Sequence, residues 1–151
     1  MSSLIAIRRA GPDDAAAAAS LFAQYLAFYE RDLSPGSVGA FLTERLKNED
    51  SIIFLAFNGD EAVGMTQVYP TFSSLALARA WILNDLFVTP AARGTGVGRA
   101  LLRRVCGEAE QAGCAYVTLE TSGDNVTAQG LYETEGFERE ESWHYARSST
   151  R

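Results

Sequence analysis

The segment that most restricts what this chain can fold into reads Arg93-Gly94-Thr95-Gly96-Val97-Gly98-Arg99. A β-rich run stopped by Thr89-Pro90 precedes it, and a helix with Val97, Leu101, Leu102, Val105 and Ala109 on one face follows. A strand, a glycine-rich turn and a helix in that order belong to an α/β layer. Glycines let the backbone approach an anion closely, and a helix N-terminus adds partial positive charge. The turn therefore suits a pyrophosphate without a metal or a lysine, with Arg93 and Arg99 adding charge at the rim. An ordinary strand-to-helix glycine turn would carry similar residues.

The rest of the chain supplies a sheet around this unit. Residues 4–8 predict a first strand, and Gly11-Pro12-Asp13-Asp14 opens a helix carrying Leu21, Phe22, Tyr25, Leu26 and Tyr29. Ser34-Pro35 begins a second helix. Residues 51–57 and 61–69 predict a hairpin about Asn58-Gly59. A small-residue loop over 70–78 leads to a long strand over 79–88. After the glycine-loop helix, ended by Gly113, come a strand over 115–120, a short helix from about Asn125 to Glu135, and a last strand over 137–146. The order β-α-α-β-β-β-α-β-α-β predicts a single-domain, mixed and mostly antiparallel sheet flanked by helices, over residues 1–147 with a frayed tail at 148–151.

Composition narrows the function. The 151 residues are 47% hydrophobic and 21% charged, which excludes a disordered chain or a disulfide scaffold. The net charge of −6 argues against nucleic acid and for a cationic small-molecule partner, or serves solubility alone. No apolar run reaches the ~20 residues of a membrane span, and the start of the chain lacks a signal-peptide pattern. Cys106 and Cys114 read as reduced core thiols, so a cytoplasmic setting is expected. One histidine, His144, and no Cys-x-x-Cys support no metal site. Gly-x-Ser-x-Gly is absent.

Three phosphate motifs compete for the glycine turn. A Walker loop fails because Arg99 and Ala100 follow Gly98. A dinucleotide fingerprint finds Gly94 and Gly96 but meets Arg99 at its third glycine, and a short chain with an early hairpin cannot supply the full parallel sheet. Arg/Gln-x-x-Gly-x-Gly/Ala is filled by Arg93, Gly96 and Gly98. That pattern, the stretch 86–102 around it, and Asp124-Asn125 followed by Ala128 and Leu131-Tyr132-Glu133-Thr134-Glu135-Gly136-Phe137 resemble the GCN5-related N-acetyltransferase (GNAT) superfamily. Residues 69–74 and 81–88 look like its histone/polyamine acetyltransferase-like branch.

The resemblance implies an acyl-CoA N-acyltransferase fold and acetyl transfer from acetyl-CoA to a primary amine by direct attack in a ternary complex. It implies that Arg93, Gly94, Thr95, Gly96, Val97, Gly98 and Arg99 hold the coenzyme A pyrophosphate, and that the main chain of Leu86, Phe87 and Val88 pairs with the pantetheine arm where two parallel strands splay. Val88 N–H, or a neighbour, would face the thioester oxygen. Asn125 and Ala128 would contact the cofactor, although Asn125 equally suits a plain N-cap. Tyr132 matches the tyrosine that protonates the leaving thiolate; its other reading is a core ring against Phe137. A phenol is protonated at neutral pH and can serve as that donor.

The base is less legible. Many relatives carry a glutamate where this chain has Asn84, which cannot accept a proton. Asp85 is adjacent, but strand neighbours point to opposite faces unless a bulge re-aims one. Glu30 and Asp32 lie between the first two helices as further candidates, or as a solvated turn. Tyr25, Tyr29, Tyr69 and Phe72, with Glu30, are candidate acceptor-pocket residues, whereas Phe28 and Trp81 are expected in the core. Relatives often form homodimers. Three rival readings remain from sequence: a coenzyme A sensor that has lost turnover, a dinucleotide oxidoreductase, and a protein lysine or N-terminal acetyltransferase.

Overall fold

The computed structural model describes residues 4–31 and 33–150. Strand β1 (Ile5–Arg9) leads through a short turn, where the Asp14 carboxylate accepts from the Gly11 N–H at 2.9 Å, into helix α1 (Ala15–Phe28). Helix α2 (Pro35–Asn48) starts at an N-cap, Ser34, whose hydroxyl accepts from Ser37 N–H at 3.2 Å. Strands β2 (Ile52–Asn58), β3 (Glu61–Ser73) and β4 (Ala78–Val88) form an antiparallel meander. Helix α3 (Val97–Gln111) crosses over to strand β5 (Cys114–Leu119), and helix α4 (Val126–Thr134) follows. The sheet runs β1-β2-β3-β4-β5, antiparallel except for the β4–β5 pair.

Central strands of this sheet are covered on both faces. On one face Ile53, Leu55, Met65 and Phe87 pack with Ala18, Leu21 and Phe22 of α1 and Val38, Leu42 and Leu46 of α2. On the other lies α3, whose apolar stripe of Val97, Leu101, Leu102, Val105 and Ala109 is buried. Runs such as Ile52–Ala56 are therefore apolar at every position instead of alternating.

The sequence reading needs four adjustments here. The first hairpin turns on Gly59-Asp60, since Asn58 still pairs with Glu61, and of the two only Gly59 takes a positive φ. Residues 70–73 continue β3 to the Ser73↔Ala78 pair, so the loop shrinks to 74–77. Phe28 is 66% exposed, whereas Trp81 is buried as expected. No strand forms over 137–146: Glu138-Arg139-Glu140-Glu141 breaks the apolar alternation, and Trp143 and Tyr145 stand exposed. Arg139 instead bonds back to Gln129 at 3.1 Å. Both cysteines are free and half-buried.

The chain divides into two compact units, Met1–Glu120 and Thr121–Arg151. The first holds the sheet and α1–α3; the second holds α4 and the extended C-terminal segment.

Candidate active site

In the first unit the site is built on the second half of β4. The β4–β5 ladder has its last pair at Leu83↔Leu119, while β4 continues to Val88. Thr89 N–H donates to Val63 O at 2.9 Å on the β3 side. Amides alternate along an extended strand, so Val88 and Leu86 N–H turn the other way, toward the side where the parallel ladder has ended. The Val88 carbonyl accepts from Arg93 Nε at 3.0 Å. The parallel ladder thus ends where β5 itself ends, five residues before the end of β4.

The glycine turn sits directly after this edge. Gly94 and Gly96 adopt φ of 78° and 89°, a left-handed conformation that glycine takes without a Cβ penalty. Gly96 is the N-cap of α3 and supplies no side-chain acceptor, so the Val97 and Gly98 amides that open the helix have no intrahelical acceptor and no cap from the N-cap residue. An uncapped end of a 15-residue helix on a glycine turn fits a diphosphate, to which it offers amides and a positive dipole end. Arg93 lies differently from the rim position expected: its guanidinium stands 5.6 Å from the Phe28 ring centroid and 5.7 Å from that of Phe87, against the α1 side.

Gly64 positions that helix end. A Cβ there would lie 2.9 Å from Val97 Cγ1 and 3.1 Å from Leu101 Cδ1. Its bare Cα lets the first turns of α3 settle on β3 opposite Val88, its cross-strand partner. Sequence reasoning passed over this glycine because nothing local distinguishes it.

A second group of candidate residues lies on the α1/α2 face. Gln67 pairs with Asp85 and Val68 with Leu83, so Asn84 has no partner on β3 and forms a bulge. The bulge resets the alternation. Asp85 shares the face of Gln67, and Phe87 that of Met65. It is thus re-aimed in the way the regular strand would forbid. Asp85 Oδ2 accepts from Gln67 Nε2 at 3.1 Å and from Asn84 Nδ2 at 3.0 Å. Thr66 Oγ1 donates to the Asp85 carbonyl at 2.7 Å.

Aromatic rings surround this carboxylate. The Tyr25 phenol lies near enough to Asp85 to feel its charge, and its ring meets Tyr29 at 5.1 Å and Phe87 at 6.0 Å between centroids. Burial, then the Asp85 charge, then Tyr29 push the Tyr25 pKa well above an ordinary phenol's. Tyr69 is raised too, by burial first and by Asp85 second, with Arg45 opposing. Both phenols are therefore neutral donors at physiological pH. Gln67 is 1% exposed, and its Oε1 has no hydrogen-bond partner among the described residues. A buried unsatisfied acceptor costs ~1–3 kcal/mol, so this glutamine is expensive where neighbours on its face are apolar. Gln67 escaped the sequence reading; its only signal was an amide in phase with Met65 in an apolar strand.

Other candidates lie apart or in the second unit. Phe72 sits five positions along β3 from Gln67, roughly 16 Å at the usual strand rise, 72% exposed under the Arg79 guanidinium. Glu30 ends α1 with φ of 58° and is exposed. Asp32 lies outside the described residues. In the second unit Asn125 is the N-cap of α4, its Oδ1 accepting from Ala128 N–H at 3.3 Å. Tyr132 is half-buried on the same helix, its ring 6.1 Å from that of Phe137.

The family model described as the acetyltransferase (GNAT) family matches residues 18–137. The chain belongs to the GNAT acetyltransferase family. It is 45% identical to the uncharacterized N-acetyltransferase YhfO of Bacillus subtilis over 140 residues, 92% of this chain and 94% of that protein. Among solved structures, a probable acetyltransferase superposes with a TM-score of 0.90 at 36% identity, covering 97% of this chain and 99% of the other. An aminoglycoside N-acetyltransferase solved in complex with CoA shares the fold at 22% identity and a TM-score of 0.83, covering 99% of this GNAT chain and 98% of its own.

Proposed function

We propose that this GNAT enzyme transfers an acetyl group from acetyl-CoA to a primary amine of a small molecule by direct attack in a ternary complex. The observation that carries the reading is the open edge of β4. Beyond Leu83↔Leu119 the Leu86 and Val88 amides face the vacated side, and the uncapped α3 N-terminus follows on a glycine turn. Acetyl-CoA supplies an acetyl group activated as a thioester.

Residues 94–99 offer main-chain amides to the pyrophosphate, and Leu86, Phe87 and Val88 offer strand backbone to the pantetheine arm. Val88 N–H is the donor for the carbonyl oxygen, an interaction worth ~3 kcal/mol when preorganised. Asp85 anchors the acceptor's ammonium and takes its proton, because an alkylamine of pKa ~10.4 arrives protonated. Tyr132 gives the leaving sulfur a proton, and Asn125 and Ala128 act on the cofactor. Tyr25, Tyr29, Glu30 and Tyr69 shape the acceptor side. An aminoglycoside acetyltransferase among proteins of this fold supports a small-molecule amine as acceptor. Asn84 in place of a glutamate favours a sensor without turnover, whereas the bulge that sets the Asp85 carboxylate opposite Gln67 supports an enzyme with Asp85 as its base.

The test is thiol release from acetyl-CoA across polyamines, amino acids, aminoglycosides and lysine peptides, with wild type beside Asp85→Asn. Turnover with small amines, lost in the variant, is expected. Coenzyme A binding without acetylation of any amine overturns the reading.

A further inference from the structure

Gln67 is an anomaly of the core. Its β2 partner Ile53 and its same-face neighbours Leu55, Met65 and Phe87 are apolar, only its β4 partner Asp85 is charged, and a methionine would fill the same volume without leaving an amide oxygen unpartnered. The amide has a definite partner: Nε2 donates to Asp85 Oδ2, and Asn84 Nδ2 donates to the same oxygen. Two amides converging on Oδ2 fix the carboxylate's rotation and hold it as an acceptor.

We propose that Gln67 is the positioning residue of the acceptor site: it turns the Asp85 carboxylate so that Oδ1 meets the acceptor's ammonium, with Asn84 as a second arm on Oδ2. This role rests on the reading of Asp85 as the acceptor's anchor, and it goes beyond it by assigning the clamp. The ligand class is an alkylammonium carrying N–H donors, since a carboxylate held as a pure acceptor selects a donor-rich cation. Gln67 thereby exchanges core stability for a fixed carboxylate.

Calorimetry with n-butylammonium, phenethylammonium and spermidine tests this without requiring turnover, beside thermal unfolding and coenzyme A binding. Gln67→Met is expected to unfold no earlier than wild type, to bind coenzyme A equally, and to bind the ammonium probes about tenfold more weakly, ~1.4 kcal/mol. Gln67→His, which restores an N–H donor, recovers part of the loss. Phenethyltrimethylammonium, which has no N–H, binds wild type and Gln67→Met alike. With an acceptor that turns over, Gln67→Met raises its KM and leaves the KM for acetyl-CoA unchanged. Should Gln67→Met fail to fold, Asn84→Ala at an exposed position removes the other donor and weakens the same probes. Variants that bind the ammonium ions as tightly as wild type overturn the proposal, as does a wild-type protein that takes up none of the three. Failure of the acetyl-transfer reading shows separately, as absence of coenzyme A binding or of thiol release.

Discussion

Leu83 and Leu119 are the last paired residues of the parallel ladder, and the strand that carries Leu83 runs on to Val88 paired with β3 alone. Val88 sits opposite Gly64 at a position whose amide points away from β3. A proline there removes the N–H without breaking a ladder bond on the β3 side. Val88→Pro is expected to lower kcat ~10²–10³-fold, the scale of one lost oxyanion donor. Coenzyme A affinity should change far less, and Val88→Ala should keep near-normal rates. Single-turnover kinetics beside calorimetry measures both quantities. A proline variant as active as the alanine variant would assign the donor elsewhere.

Two glycines near the phosphate cradle should fail in different ways. Gly64→Ala drives a Cβ to 2.9 Å from Val97 Cγ1, so the start of α3 must shift. Overpacking of this kind costs ~1–3 kcal/mol, and coenzyme A affinity should weaken with stability because the helix end moves. At Gly96 an added Cβ meets nothing within 4 Å, and the cost comes from φ of 89°, ~1–2 kcal/mol for alanine. Gly96→Asn, which tolerates that conformation better, should recover part of it. Urea unfolding and calorimetry on the three variants separate a displaced helix from a strained turn.

Local signals were legible in the sequence and non-local ones were not. The glycine turn, the amphipathic α3 and the meander each follow from spacing within one segment; the first two formed where expected, and the meander formed with its first turn at Gly59-Asp60 and β3 extended to Ser73. The bulge at Asn84 depends on how β3 pairs with β4, and no residue of β4 announces it. For the same reason Asp85 stood as a poor base candidate in the linear pattern, although it shares a face with Gln67. Gly64 and Gln67 acquire meaning only from Val97 and Asp85, each far along the chain. The strand expected over 137–146 failed because hydrophobic residues at its two ends outweighed, in a period-two reading, the charged run between them.

Alkaline pH should destabilise the protein through Tyr25. Its folded pKa lies above the ordinary ~10 because burial and the Asp85 charge disfavour the phenolate. Below pH ~10 both folded and unfolded phenols are protonated, and the stabilisation is fully present. Above it the unfolded chain loses a proton that the folded chain keeps, so stability falls as pH rises toward the folded pKa. Tyr69, shifted in the same direction, adds to the fall. Tyr25→Phe should flatten the decline between about pH 10 and 11 relative to wild type. Chemical denaturation at several pH values reads the slope, and an unchanged slope would remove Tyr25 as its source.

Tyr132 offers the cleanest separation of chemistry from packing. Its ring stands 6.1 Å from that of Phe137, and the Phe137 N–H donates to the Tyr132 carbonyl at 3.0 Å. Phenylalanine preserves the ring and leaves that backbone bond intact, so Tyr132→Phe removes only the phenolic O–H. Loss of stability should stay within ~1 kcal/mol, the scale of one hydrogen bond. Loss of a positioned acid lowers kcat ~10²–10⁴-fold. Coenzyme A affinity should hold, because an acid that acts on the departing sulfur need not contribute to binding. A variant with wild-type kcat and reduced stability would make Tyr132 a packing residue and leave the thiolate's proton to another donor.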